Sequence, residues 1–396
     1  MFQKTYSGRT QLELRNIIDT RRRGEPDLAL FAAIFALAGI GLAMSYSASA
    51  VYALRVFGDS FYFLKRQTLW FLIGFGALMF FQNFDYRHYV KYTKIMLIVT
   101  FILLIIVLIP GVGSSAKGSS RWLSLGFIGI QPSEFAKLVC VIYLVKIYSS
   151  EEGDSHVLQL LIPMLVIAGI FVLVMMQPDF GTAMDLLLIS VVIIFVSGFP
   201  LTYILFLFIL SIPMFYLLIY QVSYRWGRIL AYLNPWDDRF GIGYHVIQSF
   251  TAFKKGGILG VGLGFGTQKI ARLPEPHTDF IFAVIAEEAG LIGTVTLVLL
   301  FCFVFWRGIL IALAAPDSFG KLLAIGLTLL LVVQAFINMG VVSGALPTTG
   351  IPLPFISYGG SSLLASMIAS GILLNISRYR EAAFREVKFE EVWNNE

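Results

Sequence analysis

The sequence predicts an all-α polytopic membrane protein of about ten transmembrane helices, with a large extracytoplasmic loop between helices seven and eight. Three observations carry that prediction. Of 396 residues, 58% are apolar and only 13% charged, with a mean hydropathy of +0.81, which no ordinary soluble core matches. Apolar stretches of roughly 17 to 25 residues recur along the chain, each long enough to cross a ~30 Å hydrocarbon layer as a helix. Lys and Arg gather in short connections, the pattern that the positive-inside rule reads as cytoplasmic.

The spans fall near residues 28–48, 67–82, 95–110, 133–148, 157–176, 182–198, 201–220, 279–306, 322–345 and 353–377. The first is too long and too far from the start for a cleaved signal peptide and follows Arg21, Arg22 and Arg23, so it reads as a retained signal anchor. Lys4, Arg9 and Arg15 add to the basic N-terminal tail, Arg87, Lys91 and Lys94 follow the second span, and Arg378, Arg380, Arg385 and Lys388 follow the tenth. Ten spans then put both tails in the cytoplasm. The organisation is a tail (1–27), a membrane domain (28–378) and a second tail (379–396) whose spaced apolar residues suit a short amphipathic surface helix. Cys140 and Cys302 both fall within spans, so no disulfide framework is expected.

Two external loops remain, 111–132 and 221–278. The second carries Arg225, Arg228, Arg239, Lys254, Lys255, Lys269 and Arg272, a basic excess on the side where few cations are expected. Long loops escape that rule, and the alternative is that this loop meets an anion. Within it, "NPWDDRFGIGYHVIQSF" combines turn chemistry with an amphipathic piece. Glycines 256, 257, 260, 262, 264 and 266 fit neither a dinucleotide fingerprint nor a Walker loop. They serve close backbone approach, to a neighbouring helix or to phosphates.

Polar groups also interrupt the spans, where a charge costs at least ~2.5 to 3.5 kcal/mol and so faces a cavity or a partner. Glu134 and Lys137 share a helical face and can pair. Gln177 and Asp179 flank Pro178, and Asp185 lies inside the sixth span. Pro347, Pro352 and Pro354 break the chain before Ser357, Tyr358, Ser361 and Ser362, and broken backbone at membrane depth needs protein or a watery cavity around it. Asp279 opens the eighth span behind Thr278, with Glu287 and Glu288 farther in. From the residues alone Asp279 serves either a helix N-terminus or a site.

"YSASA", "KGSSRWLSLGFIGIQPSEFAKL", "MQPDFGTA", "NPWDDRFGIGYHVIQS", "LPEPHTDFIFAVIAEEAGLIG" and "LPTTGIPLPFISYGGSS" occur in this order. They resemble the bacterial shape, elongation, division and sporulation (SEDS) family from about residue 28 to 378, its division branch more than its elongation branch. The resemblance implies a peptidoglycan glycosyltransferase that polymerises lipid II at the outer face of the cytoplasmic membrane, with its site under the 221–278 loop. It carries Asp279 over as the essential carboxylate. Forming a glycosidic bond from a sugar diphosphate needs a base for the acceptor hydroxyl and cations for the leaving group, so Asp279 reads as the general base. Arg228, Lys254, Lys255, Lys269 and Arg272, with His277 and Gln248 of the same loop, are the diphosphate candidates. Glu134 and Lys137 match functional positions, where they shape the cavity or hold a cation, and Gln177, Asp179, Ser357 and Tyr358 line the same cavity. Glu287 or Glu288 is expected to pair with Lys137.

A divalent cation, magnesium or manganese, would suit a diphosphate leaving group, with Asp279 as its ligand instead of the base. No organic cofactor is implied. The expected partners are a class B penicillin-binding protein that crosslinks the product, other division or elongation proteins, and membrane lipids. Nucleic acid is not expected, because the pI near 9.1 comes from loop and membrane-flanking cations. The competing readings are a flippase for the same lipid-linked precursor and a division scaffold.

Overall fold

The computed structural model describes residues 24–111, 113–116, 119–125, 128–149, 156–271 and 276–379. The expectations for the N-terminal arginines, Arg272 and the C-terminal amphipathic segment lie outside these residues. Ten helices of 17 residues or more match the ten predicted spans: α1 (Leu28–Phe57), α2 (Tyr62–Asn83), α3 (His88–Leu108), α4 (Pro132–Ser149), α5 (His156–Met176), α6 (Phe180–Val196), α7 (Leu201–Tyr220), α11 (Ile281–Leu313), α12 (Ser318–Val342) and α13 (Gly360–Ser377). Between α7 and α11 come α8 (Ser223–Leu233), α9 (Gly243–Gly256) and the single turn α10 (Gln268–Ala271).

Among the described residues, α1, α3, α11, α12 and α13 are long and apolar enough to cross a membrane by length and composition. Shorter apolar stretches cover 161–176, 180–196 and 201–213. Helix α4 falls outside that set because Glu134, Lys137 and Lys146 occupy 18 residues. Side-chain caps fix several helix starts. The Asp27 carboxylate accepts from Leu30 N at 3.0 Å, Asp317 from Gly320 N at 2.7 Å and Asp179 from Thr182 N at 3.3 Å.

The two ends of the described chain meet at one end of the bundle, as an even number of crossings requires. Gly24 N donates to Arg378 O at 2.9 Å and Asp27 N to Ser377 Oγ at 3.0 Å, while Arg307 pairs with the Asp27 carboxylate. Small residues let the helices approach closely. A Cβ on Gly371 of α13 would stand 2.7 Å from Leu78 O of α2, and one on Gly308 of α11 would clash with Thr328 of α12.

The 111–132 connection, predicted simply as a loop, contains a three-stranded antiparallel sheet of β1 (Gly113–Ala116), β2 (Ser119–Leu125) and β3 (Ile128–Ile130), with Leu123 opposite Ile130. The other departure is inside α11. Gly290 has φ 63° and ψ −159°, a left-handed break that splits off the half-helix Ile281–Ala289. Asn338, ten residues and about 15 Å along α12 from the Gly308–Thr328 contact, would face residue 298 if α11 were straight. It instead bonds to Asp279 O at 2.8 Å. The half-helix therefore folds back into the bundle, and Phe280 to Glu288 are buried on every side, whereas Leu291 and Ile292 are 55% and 56% exposed.

Helix α1 braces the loop that faces this half-helix. Gly41 lies against the backbone of Phe355 and Ile356, where a Cβ would clash with Phe355 O, whereas nothing lies within 4 Å of a Cβ on Gly39. Gly41→Val is expected to destabilise the protein by about 1–3 kcal/mol through overpacking. Gly39→Val should stay close to wild type, and thermal unfolding of both variants in detergent checks the contrast.

Candidate functional site

Asp279 sits in a turn, residues 276–280, and α11 begins only at Ile281. The sequence places Asp279 as the first residue of the span; the structure puts it two residues earlier, on backbone that needs outside partners. Three successive carbonyls find them. His277 O accepts from Tyr358 N at 2.8 Å, Thr278 O from Ser357 Oγ at 2.7 Å, and Asp279 O from Asn338 Nδ2 at 2.8 Å. Asn338 Nδ2 also donates to Ile351 O at 2.7 Å, and Ser357 Oγ accepts from Leu353 N at 2.8 Å. The proline-broken loop 347–358 is thus the clamp on the Asp279 turn.

The same loop also holds a cation. Arg228 on α8 donates through Nη1 to Thr348 O at 3.0 Å and Thr349 O at 3.3 Å. On the next residue, Gly350, a Cβ would lie 3.4 Å from Asp279 Oδ2. A guanidinium and a carboxylate therefore flank one three-residue segment. Arg225 stacks on Phe180 at 5.3 Å, and burial together with the neighbouring Arg228 charge lowers its pKa from the usual arginine value. His277 is buried among aromatic rings, with Phe63 at 4.5 Å, Tyr358 at 5.6 Å and Tyr52 at 6.0 Å.

Two buried charge clusters support this arrangement. Lys137 lies 3.3 Å from Glu134 and 3.2 Å from Asp185, and donates to Gln334 Oε1 at 2.6 Å. Gln334 in turn donates to Pro352 O at 3.0 Å, so the cluster is tied to the clamping loop. The second cluster sits at the Gly290 end of the half-helix. Glu287 accepts from Thr267 N at 2.9 Å and Gln268 N at 3.0 Å; Glu288 accepts from Lys269 Nζ at 2.5 Å, Ser47 Oγ at 2.7 Å and Gly264 N at 3.0 Å. The glycine loop also pairs its backbone with the break, through Val261 N to Glu287 O at 3.0 Å and Leu291 N to Gly257 O at 2.9 Å.

A model of the cell cycle protein family that comprises FtsW, RodA and SpoVE matches residues 28–382. The chain belongs to this family. It is 44% identical to stage V sporulation protein E of Bacillus subtilis over 91% of this chain and 99% of that protein. It is also 44% identical to a probable peptidoglycan glycosyltransferase FtsW of Geobacter metallireducens, over 89% of this chain and 94% of that one. Among solved structures, it resembles a chain of a peptidoglycan synthase complex that coordinates polymerization and crosslinking, with 28% identity and a TM-score of 0.74 over 90% of this chain and 98% of that chain. Thermus thermophilus RodA matches with 27% identity and a TM-score of 0.67 over 90% of this chain and 97% of that chain.

In this FtsW/RodA/SpoVE-type chain the structure gathers some of the predicted residues and separates others. Asp279, Arg228, His277, Ser357 and Tyr358 come together. Glu134 and Lys137 pair as expected, but Glu287 and Glu288 do not reach Lys137, because each is already spent on the glycine loop. Lys269, read as a diphosphate ligand, is a buried partner of Glu288 instead. Helix α9 lies along the half-helix, with His245 stacked on Phe280 at 5.3 Å and Gly256 against Ala286. Lys254 and Lys255, exposed in its last turn, are therefore at the Gly290 end, about 12 Å farther along the half-helix axis than Asp279 at 1.5 Å per residue. Gln248, half-buried, lies between the two ends.

Asp179 caps α6 and accepts from Gln131 Nε2 at 3.1 Å, and Gln177 donates to Leu104 O at 3.2 Å. Their neighbours connect them to the site, Gly181 packing on Thr349 and Phe180 lying under Arg225. Two of the glycines serve packing, since a Cβ on Gly256 or Gly260 would strike the backbone of Ala286 or Glu288, whereas Gly257 and Gly264 face open space. Sequence reasoning missed Asn338 and Gln334. The available signal was two amides four residues apart in an otherwise apolar span, which puts them on one face.

Removing one partner of a buried ion pair costs about 3–5 kcal/mol, because the other charge is left unpaired. Glu288→Gln and Lys269→Met should each destabilise the protein by that order. The double variant should cost less than either single change, since Gln still accepts from Gly264 and neither charge of the pair is left buried alone. Unfolding of the three variants in detergent measures the coupling.

Proposed function

We propose that this protein is a peptidoglycan glycosyltransferase that polymerises lipid II, with Asp279 as the general base. The observation that carries the reading is a carboxylate on clamped backbone that faces an arginine across Thr348–Gly350. The relatives named as FtsW glycosyltransferases supply the reaction class, and their name supports a role in septal wall synthesis. The acceptor sugar hydroxyl gives its proton to the Asp279 carboxylate as its oxygen attacks the anomeric carbon of the donor. The glycosidic C–O bond forms, the bond from that carbon to the lipid diphosphate breaks, and Arg228 stabilises the departing anion. Holding the base on clamped backbone lowers the cost of reaching the reactive geometry.

The basic N-terminal tail supports cytoplasmic termini; with that orientation the Asp279 end of the bundle lies at the outer face, where the lipid-linked substrate is consumed. Among the described residues no three His, Cys, Asp or Glu groups converge on a metal-sized site. A magnesium or manganese ion that keeps most of its waters would need only Asp279 and the substrate phosphates here. Crosslinking belongs to a second protein of the class B penicillin-binding type, in keeping with the synthase complex that this chain resembles.

Purified protein with its transpeptidase partner is expected to convert lipid II into glycan ladders in detergent. Asp279→Asn should reduce the rate by at least about 10²-fold, the lower part of the usual general-base contribution, at unchanged melting temperature and partner binding. Full activity in that variant would refute the assignment. Lipid II movement in sealed vesicles without product would point to transport.

A further inference from the structure

Asn338 is 2% exposed and Gln334 is 3% exposed, deep in the apolar helix α12. The two N–H bonds of the Asn338 amide are divided between segments far apart in sequence, Asp279 O at 2.8 Å and Ile351 O at 2.7 Å. That pair of acceptors fixes the orientation of the amide, since the flipped form would set Oδ1 against two carbonyl oxygens. One turn away, Gln334 donates to Pro352 O at 3.0 Å and accepts from Lys137 at 2.6 Å. Consecutive carbonyls, 351 and 352, are thus held by two amides on one helix face.

We infer that Asn338 is a positioning residue for the reaction: it sets the backbone beneath the Asp279 carboxylate, and with Gln334 it fastens that turn to the buried Glu134–Lys137–Asp185 cluster. This inference rests on the assignment of Asp279 as the base. The chemistry of the amide suits the task. A lysine or arginine at position 338 would place a positive charge beside Asp279, and a nearby opposite charge makes a carboxylate a weaker base. A neutral amide restrains the peptide and leaves the basicity of the carboxylate alone. The neighbouring carbonyls, His277 O and Thr278 O, are held by Tyr358 N and Ser357 Oγ. Loss of Asn338 therefore removes this hold on the carbonyl of Asp279 and leaves those on His277 O and Thr278 O in place.

The test compares Asn338→Ala, Asn338→Asp, Gln334→Ala and Asp279→Asn with wild type, as full-length protein with its partner and lipid II in detergent. Asn338→Ala is expected to lower kcat by about 10- to 100-fold, the scale of a misplacement near 1 Å, with KM within about twofold, the pattern of a lost transition-state interaction. Gln334→Ala should move kcat in the same direction by a smaller factor. Asn338→Asp supplies a readout that a purely structural role would not move. Its side chain can donate a hydrogen bond only when protonated, so its rate relative to wild type should rise as pH falls. The same ratio for Asn338→Ala should stay flat, since dividing by the wild-type rate removes the titration of Asp279 itself.

A wild-type kcat in Asn338→Ala, a loss that merely follows the folded fraction, or a flat Asn338→Asp ratio would overturn the inference. If Asp279→Asn is inactive while Asn338→Ala is fully active, only the positioning role falls. If Asp279→Asn polymerises normally, the base assignment falls and this inference falls with it.

Discussion

Gly290 leaves the helical path at φ 63° and ψ −159°, and the peptide groups opened by that break are paired to the glycine loop at Gly257 and Val261. An apolar environment tolerates irregular backbone only when protein satisfies it. Here the pairing is complete enough to let nine residues turn back into the bundle as a half-helix. Asp279 is carried just ahead of that half-helix, in a turn packed against the 347–358 loop. Glu287 and Glu288 belong to this joint, where they hold the N–H groups of Gly264, Thr267 and Gln268. Their presence inside an apolar run is explained by the loop they anchor.

The two buried charge clusters therefore have different tasks. Lys269 and Glu288 lock the joint at the Gly290 end. Lys137, with Glu134 and Asp185, anchors the other end through Gln334 and the carbonyl of Pro352. Between these anchors the Asp279 turn is restrained by hydrogen bonds to its main chain. Such preorganisation is what a general base needs when its reorganisation would otherwise add to the barrier.

The helical spans were legible because twenty apolar residues in a row have few other physical solutions. The motifs also made Asp279 legible. The half-helix was not, since a segment buried on all sides carries the same unbroken apolar signal as a lipid-facing span, and a single glycine is common in both. Lys269 was misread for a related reason: a lysine in a basic loop shows its charge in the sequence but not its burial. Asn338 escaped notice as one amide in an apolar run, although Gln334 four residues earlier marks the same face. The small sheet went unseen because its strands, of 4, 7 and 3 residues, are too short to establish a period-two pattern.

The most direct test of this arrangement is an experimental structure of the protein with its partner and a lipid-linked diphosphate substrate. The diphosphate is expected against Thr348–Gly350, with Arg228 on one side and the Asp279 carboxylate near the acceptor position. A diphosphate seated instead on Lys254 and Lys255, at the Gly290 end of the half-helix, would contradict it.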